Sequence, residues 1–188
     1  MVVESQSPGP QFKAFIQEYG ERAFQFAYRL GGNAEEAKEL VQEAFFRMYR
    51  HWDRFDQDRP MSAWYFKILR NLFLDGCRRY ERRKGVSLDR TVPGVSEDVG
   101  TYADALPDYT ETSLELLARQ EKADEVRSVL DGLSYEHRAI LSLVDMEGAS
   151  YLDVERVLEI PLGTVRSRIA RARTAFRKSF EQARRSEA

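Results

Sequence analysis

The chain has 188 residues, with 29 Lys and Arg against 31 Asp and Glu, so its formal net charge is −2. Its composition, 43% hydrophobic and 32% charged, is typical of a globular protein. One cysteine, Cys77, excludes an internal disulfide framework, and two histidines, His51 and His137, leave little for a metal site. No apolar run approaches the roughly 20 residues of a membrane span, and no secretion signal opens the chain. We therefore expect a cytoplasmic protein.

The first half of the chain has the apolar period of three helices. A stripe with i, i+3, i+4 spacing runs over residues 12–30 and ends at a Gly-Gly pair. Asn33, with Glu36 three residues later, is typical of the capping box that opens a second helix. A third helix is predicted over about residues 62–83, after a proline. These helices predict a bundle within residues 1–84.

Beyond the third helix the apolar period disappears. Residues 85–113 are acidic and contain Gly and Pro, which predicts a flexible linker. Helical periodicity resumes at Leu114, so residues 114–188 are predicted to form a second domain. The predicted fold class is all-α, with an N-terminal helical bundle and a C-terminal helix-turn-helix domain joined by this acidic linker.

The helix-turn-helix prediction comes from a short helix over residues 151–158, a turn over 159–163 and a longer helix after it. In this arrangement the first helix braces the second, which enters the DNA major groove. An arginine-rich amphipathic helix is also compatible with a plain surface helix, but the turn with Pro161 and Gly163 favours the DNA-binding motif. The exposed face of the longer helix carries Arg166, Ser167, Arg171 and Arg173.

Positive charge is concentrated in two helices. Residues 67–84 hold 7 basic against 2 acidic side chains, and residues 163–185 hold 8 against 1. Two basic helices on either side of an acidic connector indicate a polyanion bound at two places, although charged helix faces are often only solvated.

Three segments resemble bacterial RNA polymerase sigma factors of the extracytoplasmic function (ECF) group. Residues 160–173 (IPLGTVRSRIARAR) resemble the C-terminal DNA-binding region of that family. Residues 36–46 are similar to its core-polymerase-binding helix, and residues 64–79 to its promoter-melting helix. The order and spacing of the segments agree with this compact group of alternative sigma factors.

The resemblance implies a separate role for each predicted domain. Residues 1–84 would be a region 2-like domain that binds core polymerase and recognises and melts the −10 element. Residues 85–113 would be the linker, and residues 114–188 a region 4-like domain that reads the duplex −35 element. The implied partners are core RNA polymerase, promoter DNA and an anti-sigma factor. We expect no cofactor, metal, small-molecule substrate, membrane insertion or enzymatic activity.

The second helix is predicted to carry the polymerase-binding ridge. A phenylalanine beside acidic and polar residues on a helix face indicates a protein partner, which the resemblance identifies as the clamp coiled coil of the largest polymerase subunit. Alternatively, Phe46 packs under the first helix. The ridge consists of Glu39, Gln42, Glu43 and Phe46.

The third helix is predicted to hold the −10 element. An aromatic side chain and an amide interleaved with cations suit a single strand, because bases stack on the ring while cations bind phosphates. The alternative for the tryptophan is core packing. The residues concerned are Trp64, Lys67, Arg70, Asn71, Arg78 and Arg79. In the C-terminal domain the resemblance assigns contacts with the −35 element to Thr164, Arg166, Ser167, Arg171 and Arg173.

Two glutamates depart from the family pattern. Glu155 stands where a small residue is usual, and if buried it needs a partner, for which Arg168 and Arg171 are the candidates. Glu159 stands where the turn often has glycine, and a positive φ there costs about 1 kcal/mol. We expect the motif to fold nevertheless, with Glu155 tilted outward.

A second function class is a stand-alone helix-turn-helix regulator that acts without polymerase. It accounts for the C-terminal basic helix but not for the ridge on the second helix or the edge of the third. An enzyme is disfavoured, because the sequence has no nucleophile–base pair, metal-ligand spacing or nucleotide-binding loop.

Overall fold

The structure, a computed structural model, describes residues 9–56, 58–84 and 123–186. Within these ranges the chain forms helices and no strands, which confirms the all-α class with two helical domains. The helices are α1 (Gly9–Gly31), α2 (Ala34–Arg50), α3 (Met61–Lys84), α4 (residues 123–131), α5 (Tyr135–Leu141), α6 (Tyr151–Leu158) and α7 (Leu162–Ser186). A 3-10 turn, Trp52–Arg54, follows α2, and α5 continues into a π-helical turn, Ser142–Met146. The predicted linker, residues 85–113, lies outside the described residues.

The N-terminal domain is a bundle of α1, α2 and α3 around an aromatic core. The ring of Tyr65 is fully buried, stacks on Phe45 with ring centroids 4.5 Å apart, and meets Phe15 edge-on at 5.6 Å. Burial raises the pKa of the Tyr65 hydroxyl, because the phenolate would lose its water. That hydroxyl lies 3.5 Å from the carbonyl oxygen of Val41, which gives the buried polar atom an acceptor.

The junction between α1 and α2 follows the predicted capping signals. Gly32 has φ of +73°, a left-handed conformation that lacks a steric cost only for glycine. The side-chain oxygen of Asn33 then accepts a hydrogen bond from the Glu36 N–H at 3.1 Å, so Asn33 is the N-cap of α2. The N-cap that the sequence predicts at Asn33 is confirmed.

The C-terminal domain packs α7 against α5 and α6. Val165, Ile169 and Ala172 of α7 are buried, as the apolar spacing predicted. Val154 and Val157 of α6, on which α7 packs, are also buried and belong to the same core. The hydroxyl of Ser150 accepts the Asp153 N–H at 3.2 Å and caps the start of α6.

The two domains touch each other through α1 and α3 on one side and α5 and α6 on the other. The ring of Phe73 in α3 stacks on Tyr135 in α5, with centroids 5.5 Å apart and an interplanar angle of 19°. A Cβ atom at Gly31 would lie 3.2 Å from the Phe73 ring, so the absence of a side chain there makes room for the phenylalanine.

Truncation of the N-terminal core should destabilise that domain. Leu69 in α3 is 0% exposed, so Leu69→Ala leaves a cavity and should lower the free energy of unfolding by about 2–5 kcal/mol. Ile16 lies at the margin of the α1 stripe and is 37% exposed, so Ile16→Ala is the matched control and should cost much less. Both tryptophans, Trp52 and Trp64, belong to this domain, so urea unfolding followed by tryptophan fluorescence reports on it. Equal losses in the two variants would contradict the assigned core.

Candidate polymerase and promoter interfaces

The predicted ridge of α2 lies at the surface. Glu39 and Gln42 are exposed, and the carboxylate of Glu43 pairs with Arg47 at 2.7 Å. Phe46 is 54% exposed, so it does not pack under α1 as the alternative expected. An exposed phenylalanine beside acidic side chains is unusual unless another surface covers it.

A second exposed ring, which was not predicted from the sequence, lies beside Phe46. Tyr49 is 49% exposed and follows Phe46 by three positions, which places both rings on neighbouring turns of the same helix face. The guanidinium of Arg50 lies 5.7 Å from the centre of the Phe46 ring. The spacing of Phe46 and Tyr49 was the signal that could have identified the second ring.

The tryptophan at the start of α3 is half-buried and already stacked. The ring of Phe55 lies on Trp64, with centroids 5.2 Å apart and an interplanar angle of 23°. Trp64 also packs against the hydrophobic core. One face of the indole is therefore occupied, and a base can stack there only if Phe55 moves.

Further along α3, two predicted DNA-binding cations hold a carboxylate from the other domain. Lys67 Nζ lies 2.9 Å from Glu159 Oε1, and Arg70 Nη1 lies 3.3 Å from Glu159 Oε2. Arg70 Nη1 also donates to the side-chain oxygen of Asn71 at 3.0 Å. The hydrogen bond and charge of Lys67, followed by the charge of Arg70, lower the pKa of the Glu159 carboxyl. The structure thus brings Lys67, Arg70 and Asn71 together at the boundary between the domains.

The outer end of α3 is more open. Arg78 pairs with Asp75 of the preceding turn at 3.4 Å, and Arg79 donates to the Asp75 carbonyl oxygen at 3.2 Å. Both arginines are exposed. Their charges remain available to a ligand in solvent, since such exposed pairs contribute little energy.

The helix-turn-helix forms with an unexpected role for Glu155. This half-buried side chain accepts the Leu162 N–H through Oε1 at 3.1 Å, so it caps the first turn of α7. The sequence suggested Arg168 and Arg171 as partners only for a buried Glu155, and neither pairs with this half-buried side chain. Arg168 pairs with Glu136 at 3.4 Å, and Arg171 donates to the Ser167 carbonyl oxygen at 3.4 Å. The motif contains both predicted helices, and this hydrogen bond from the α7 backbone to Glu155 links α7 to α6.

All five predicted −35 residues lie on the exposed face or in the first turn of α7. Arg166, Ser167 and Arg171 are exposed, and Thr164 is partly buried in the first turn. Arg173 is also exposed but differs, because it donates to both carboxylate oxygens of Asp145 in the π-helical turn: Nε to Oδ2 at 3.2 Å, and Nη2 to Oδ1. The Asp145 carboxylate raises the pKa of Arg173 through this hydrogen bond and its charge. Arg173 is thus already paired within the domain.

The contacts that hold the two domains together involve residues the sequence analysis did not predict. The Glu147 side chain is only 4% exposed and receives Arg22 Nε at 2.9 Å and Arg29 Nη1 at 3.1 Å from α1. Arg22 Nη2 also donates to the Glu147 carbonyl oxygen at 2.9 Å. No local pattern in the sequence pairs residues more than a hundred positions apart.

Glu159 ends α6 in the left-handed region, with φ of 56° and ψ of 44°. The departure from glycine noted in the sequence therefore falls on a position that adopts a positive φ. The backbone conformation directs the turn so that the side chain reaches Lys67 and Arg70.

Among the residues that the structure describes, no helix is long and apolar enough to cross a membrane. The same residues contain no group of three or more His, Cys, Asp or Glu side chains that could hold a metal ion.

Comparison with family models agrees with this architecture. Residues 15–83 match Sigma-70 region 2, and residues 123–176 match Sigma-70 region 4. Region 2 followed by region 4 defines an RNA polymerase sigma factor. The exposed acidic ridge of α2, the basic helix α3 and the helix-turn-helix agree with this class.

Curated relatives narrow the class. The chain is 32% identical over 174 residues to the ECF RNA polymerase sigma factor SigW of Bacillus subtilis, covering 90% of this chain and 88% of that protein. It is 31% identical over 170 residues to the RNA polymerase sigma-H factor of Pseudomonas aeruginosa, covering 90% and 86%. The chain belongs to the ECF sigma factors, which direct RNA polymerase to initiate at specific promoters and are not enzymes.

Solved structures share the fold. The sigma factor RpoE of Bartonella quintana, in complex with the anti-sigma factor NepR, matches with a TM-score of 0.68 and 24% identity, over 91% of this chain and 97% of that one. CnrH, in complex with the cytosolic domain of CnrY, matches with a TM-score of 0.64 and 24% identity, over 94% and 92%.

Removal of the α7 cap should weaken the helix-turn-helix. Glu155→Ala loses both the acceptor for the Leu162 N–H and a negative charge at a helix N-terminus, so it should cost about 1 kcal/mol. Glu155→Gln keeps an acceptor oxygen and should cost less. Thermal unfolding followed by circular dichroism at 222 nm measures both. A Glu155→Ala protein as stable as the wild type would contradict the capping role.

Proposed function

We propose that the two domains divide promoter recognition between them. Residues 1–84 bind core polymerase and melt and capture the −10 element, residues 85–113 act as a tether, and residues 114–188 read the duplex −35 element. The protein works in the cytoplasm, where polymerase and promoter are found. The observation that carries this proposal is the exposed Phe46 on the acidic ridge of α2, because a solitary DNA-binding domain has no use for it.

The polymerase-binding surface is the ridge of α2. Phe46 supplies an apolar anchor, and Tyr49 extends it by one turn. Glu39, Gln42 and Glu43 supply the polar rim that fixes orientation. Anchors of this kind, in the centre of an interface, carry most of the binding energy.

The −10 surface is the edge of α3. Trp64 provides a ring for an unstacked base, with Phe55 as the lid that must move. Asn71 can bond a base edge, and Lys67, Arg70, Arg78 and Arg79 hold phosphates. The cost of unstacking is a few kcal/mol, which binding in a fitted pocket offsets.

The −35 surface is the outer face of α7. Arg166, Ser167 and Arg171 face solvent at the N-terminal end of the helix, which is the part that meets base edges in helix-turn-helix complexes. Thr164 lies in the same first turns. Arg173 takes a lesser part, because DNA must compete with Asp145 for its guanidinium.

An anti-sigma factor is the proposed regulatory partner. The support is analogy with RpoE of Bartonella quintana, which was solved with the anti-sigma factor NepR. A partner that covered the α2 ridge would prevent polymerase binding.

Loss of the α2 ridge should abolish promoter-directed transcription. Run-off transcription by core polymerase, on promoter fragments pooled from the source genome, should yield discrete transcripts that require this protein. The Glu39→Ala/Phe46→Ala double variant should lose them by more than tenfold, since two central contacts disappear. The Glu18→Ala/Ile16→Ala variant removes an exposed glutamate and a part-exposed apolar residue from α1, so it is the matched control. Absence of transcripts, with intact duplex binding by the protein alone, would favour the stand-alone regulator.

The arginines of α7 should not contribute equally. On a promoter found in that assay, Arg166→Ala and Arg171→Ala should each weaken holoenzyme binding by about 1–3 kcal/mol, which is the usual value of a good arginine contact with DNA. Arg173→Ala should cost less, because that guanidinium is paired with Asp145. Binding is measured by electrophoretic mobility shift at a fixed salt concentration. A larger loss for Arg173→Ala than for Arg171→Ala would contradict the proposed face.

A further inference from the structure

The two cations that bind Glu159 are arranged as they would be around a phosphate. Each oxygen of the carboxylate takes one cation: Lys67 Nζ at 2.9 Å and Arg70 Nη1 at 3.3 Å. Lysine and arginine bind phosphate oxygens through the same charge-assisted hydrogen bonds. A carboxylate from the helix-turn-helix therefore stands where a DNA phosphate would have to bind. The Glu159 carboxylate and a phosphate cannot occupy this site at the same time.

The carboxylate reaches this position only because the two domains pack against each other, an arrangement that we call the closed form. Glu159 belongs to the turn between α6 and α7, and α6 packs on α3. A second contact, between Glu147 and the arginines Arg22 and Arg29 of α1, holds the same pair of domains at a separate point. Glu147 does not touch the α3 cations, so the two contacts can be tested independently.

The two contacts differ in strength. The Glu147 side chain is 4% exposed and is shielded from salt, whereas that of Glu159 is 54% exposed. Exposed ion pairs are weak and screened, so Glu159 stays on Lys67 and Arg70 only while the Glu147 contact holds the domains together. Arg70 Nε is buried and has no hydrogen-bond partner within the described residues, so the closed form leaves this arginine incompletely satisfied.

We propose that the closed form is autoinhibited: Glu159 acts as an internal competitor that occupies Lys67 and Arg70 until the domains separate. This inference rests on the proposed role of those two residues in holding the −10 strand. Opening of the Glu147 contact releases Glu159 from a distance, and polymerase binding supplies the energy for opening in the cell. Closure thereby keeps the free protein from engaging single-stranded DNA.

The test measures domain opening and strand binding in the full-length protein. Small-angle X-ray scattering gives the radius of gyration, and fluorescence anisotropy gives the affinity for a labelled dT20 strand. Glu159→Gln removes the competing charge, and Glu147→Gln releases the remote contact. Glu147→Gln should expand the protein, whereas Glu159→Gln removes only weak, exposed ion pairs and should leave the radius of gyration unchanged. Both variants should tighten dT20 binding by about three- to tenfold. Glu181→Gln removes the same charge from the exposed part of α7 and is the matched control, with less than a twofold change expected.

A second set of variants tests whether the tighter dT20 binding depends on Lys67. Lys67→Ala combined with Glu159→Gln should lose the tighter binding that Glu159→Gln gives alone. Unchanged dT20 affinity in both Glu159→Gln and Glu147→Gln would overturn autoinhibition, and so would an equal gain in Glu181→Gln. If Glu159→Gln tightens dT20 binding equally with and without Lys67, both the competition and the proposed role of Lys67 fail. If transcription fails while the Lys67-dependent gain persists, the proposed function fails and autoinhibition stands. Circular dichroism confirms that each variant is folded.

Discussion

The contact between the two domains depends on a carboxylate that water barely reaches. Glu147 is buried between Arg22 and Arg29, and burial of a charge is costly unless cations and donors replace its water. Such pairs gain little net energy over hydrated charges, but a mismatched partner is heavily penalised. The Glu147 contact therefore favours one pairing of domain surfaces, in which Phe73 stacks on Tyr135 and Glu159 reaches α3. A contact of this kind specifies the closed form without making it irreversible.

The closed form covers the proposed functional surfaces unequally. Phe46 and Tyr49 on α2 are exposed, and so are Arg166 and Arg171 on α7. Among these surfaces, within the part of the chain that the structure describes, only the middle of α3 is paired with the other domain. Polymerase can thus dock on α2 while the domains are still closed. In this order, polymerase docks first and capture of the −10 strand comes last. That order fits the reaction, because the single strand becomes available only after polymerase has found the promoter.

Local signals made most of the fold predictable from the sequence. The Gly-Gly pair with Asn33 fixes the end of α1 and the start of α2, and the apolar spacing of α7 identifies its buried face. The site was less predictable wherever it depends on distant pairs. Glu155 caps α7 instead of meeting an arginine, Trp64 is covered by Phe55, and Arg173 is paired with Asp145. Each of these depends on tertiary geometry, which periodicity does not encode.

Glu159 shows how a departure from a family pattern can have a physical reason. A non-glycine residue in the left-handed region costs about 1 kcal/mol, and two exposed ion pairs recover a similar amount. Glycine would serve the turn equally well, so stability alone does not account for glutamate at this position. The charge has an effect only when the domains are closed, because its partners Lys67 and Arg70 belong to the other domain. Glu159 therefore makes little difference to the stability of the helix-turn-helix, but a large difference to the charge that α3 presents. A residue with that combination of effects is expected to be regulatory rather than structural.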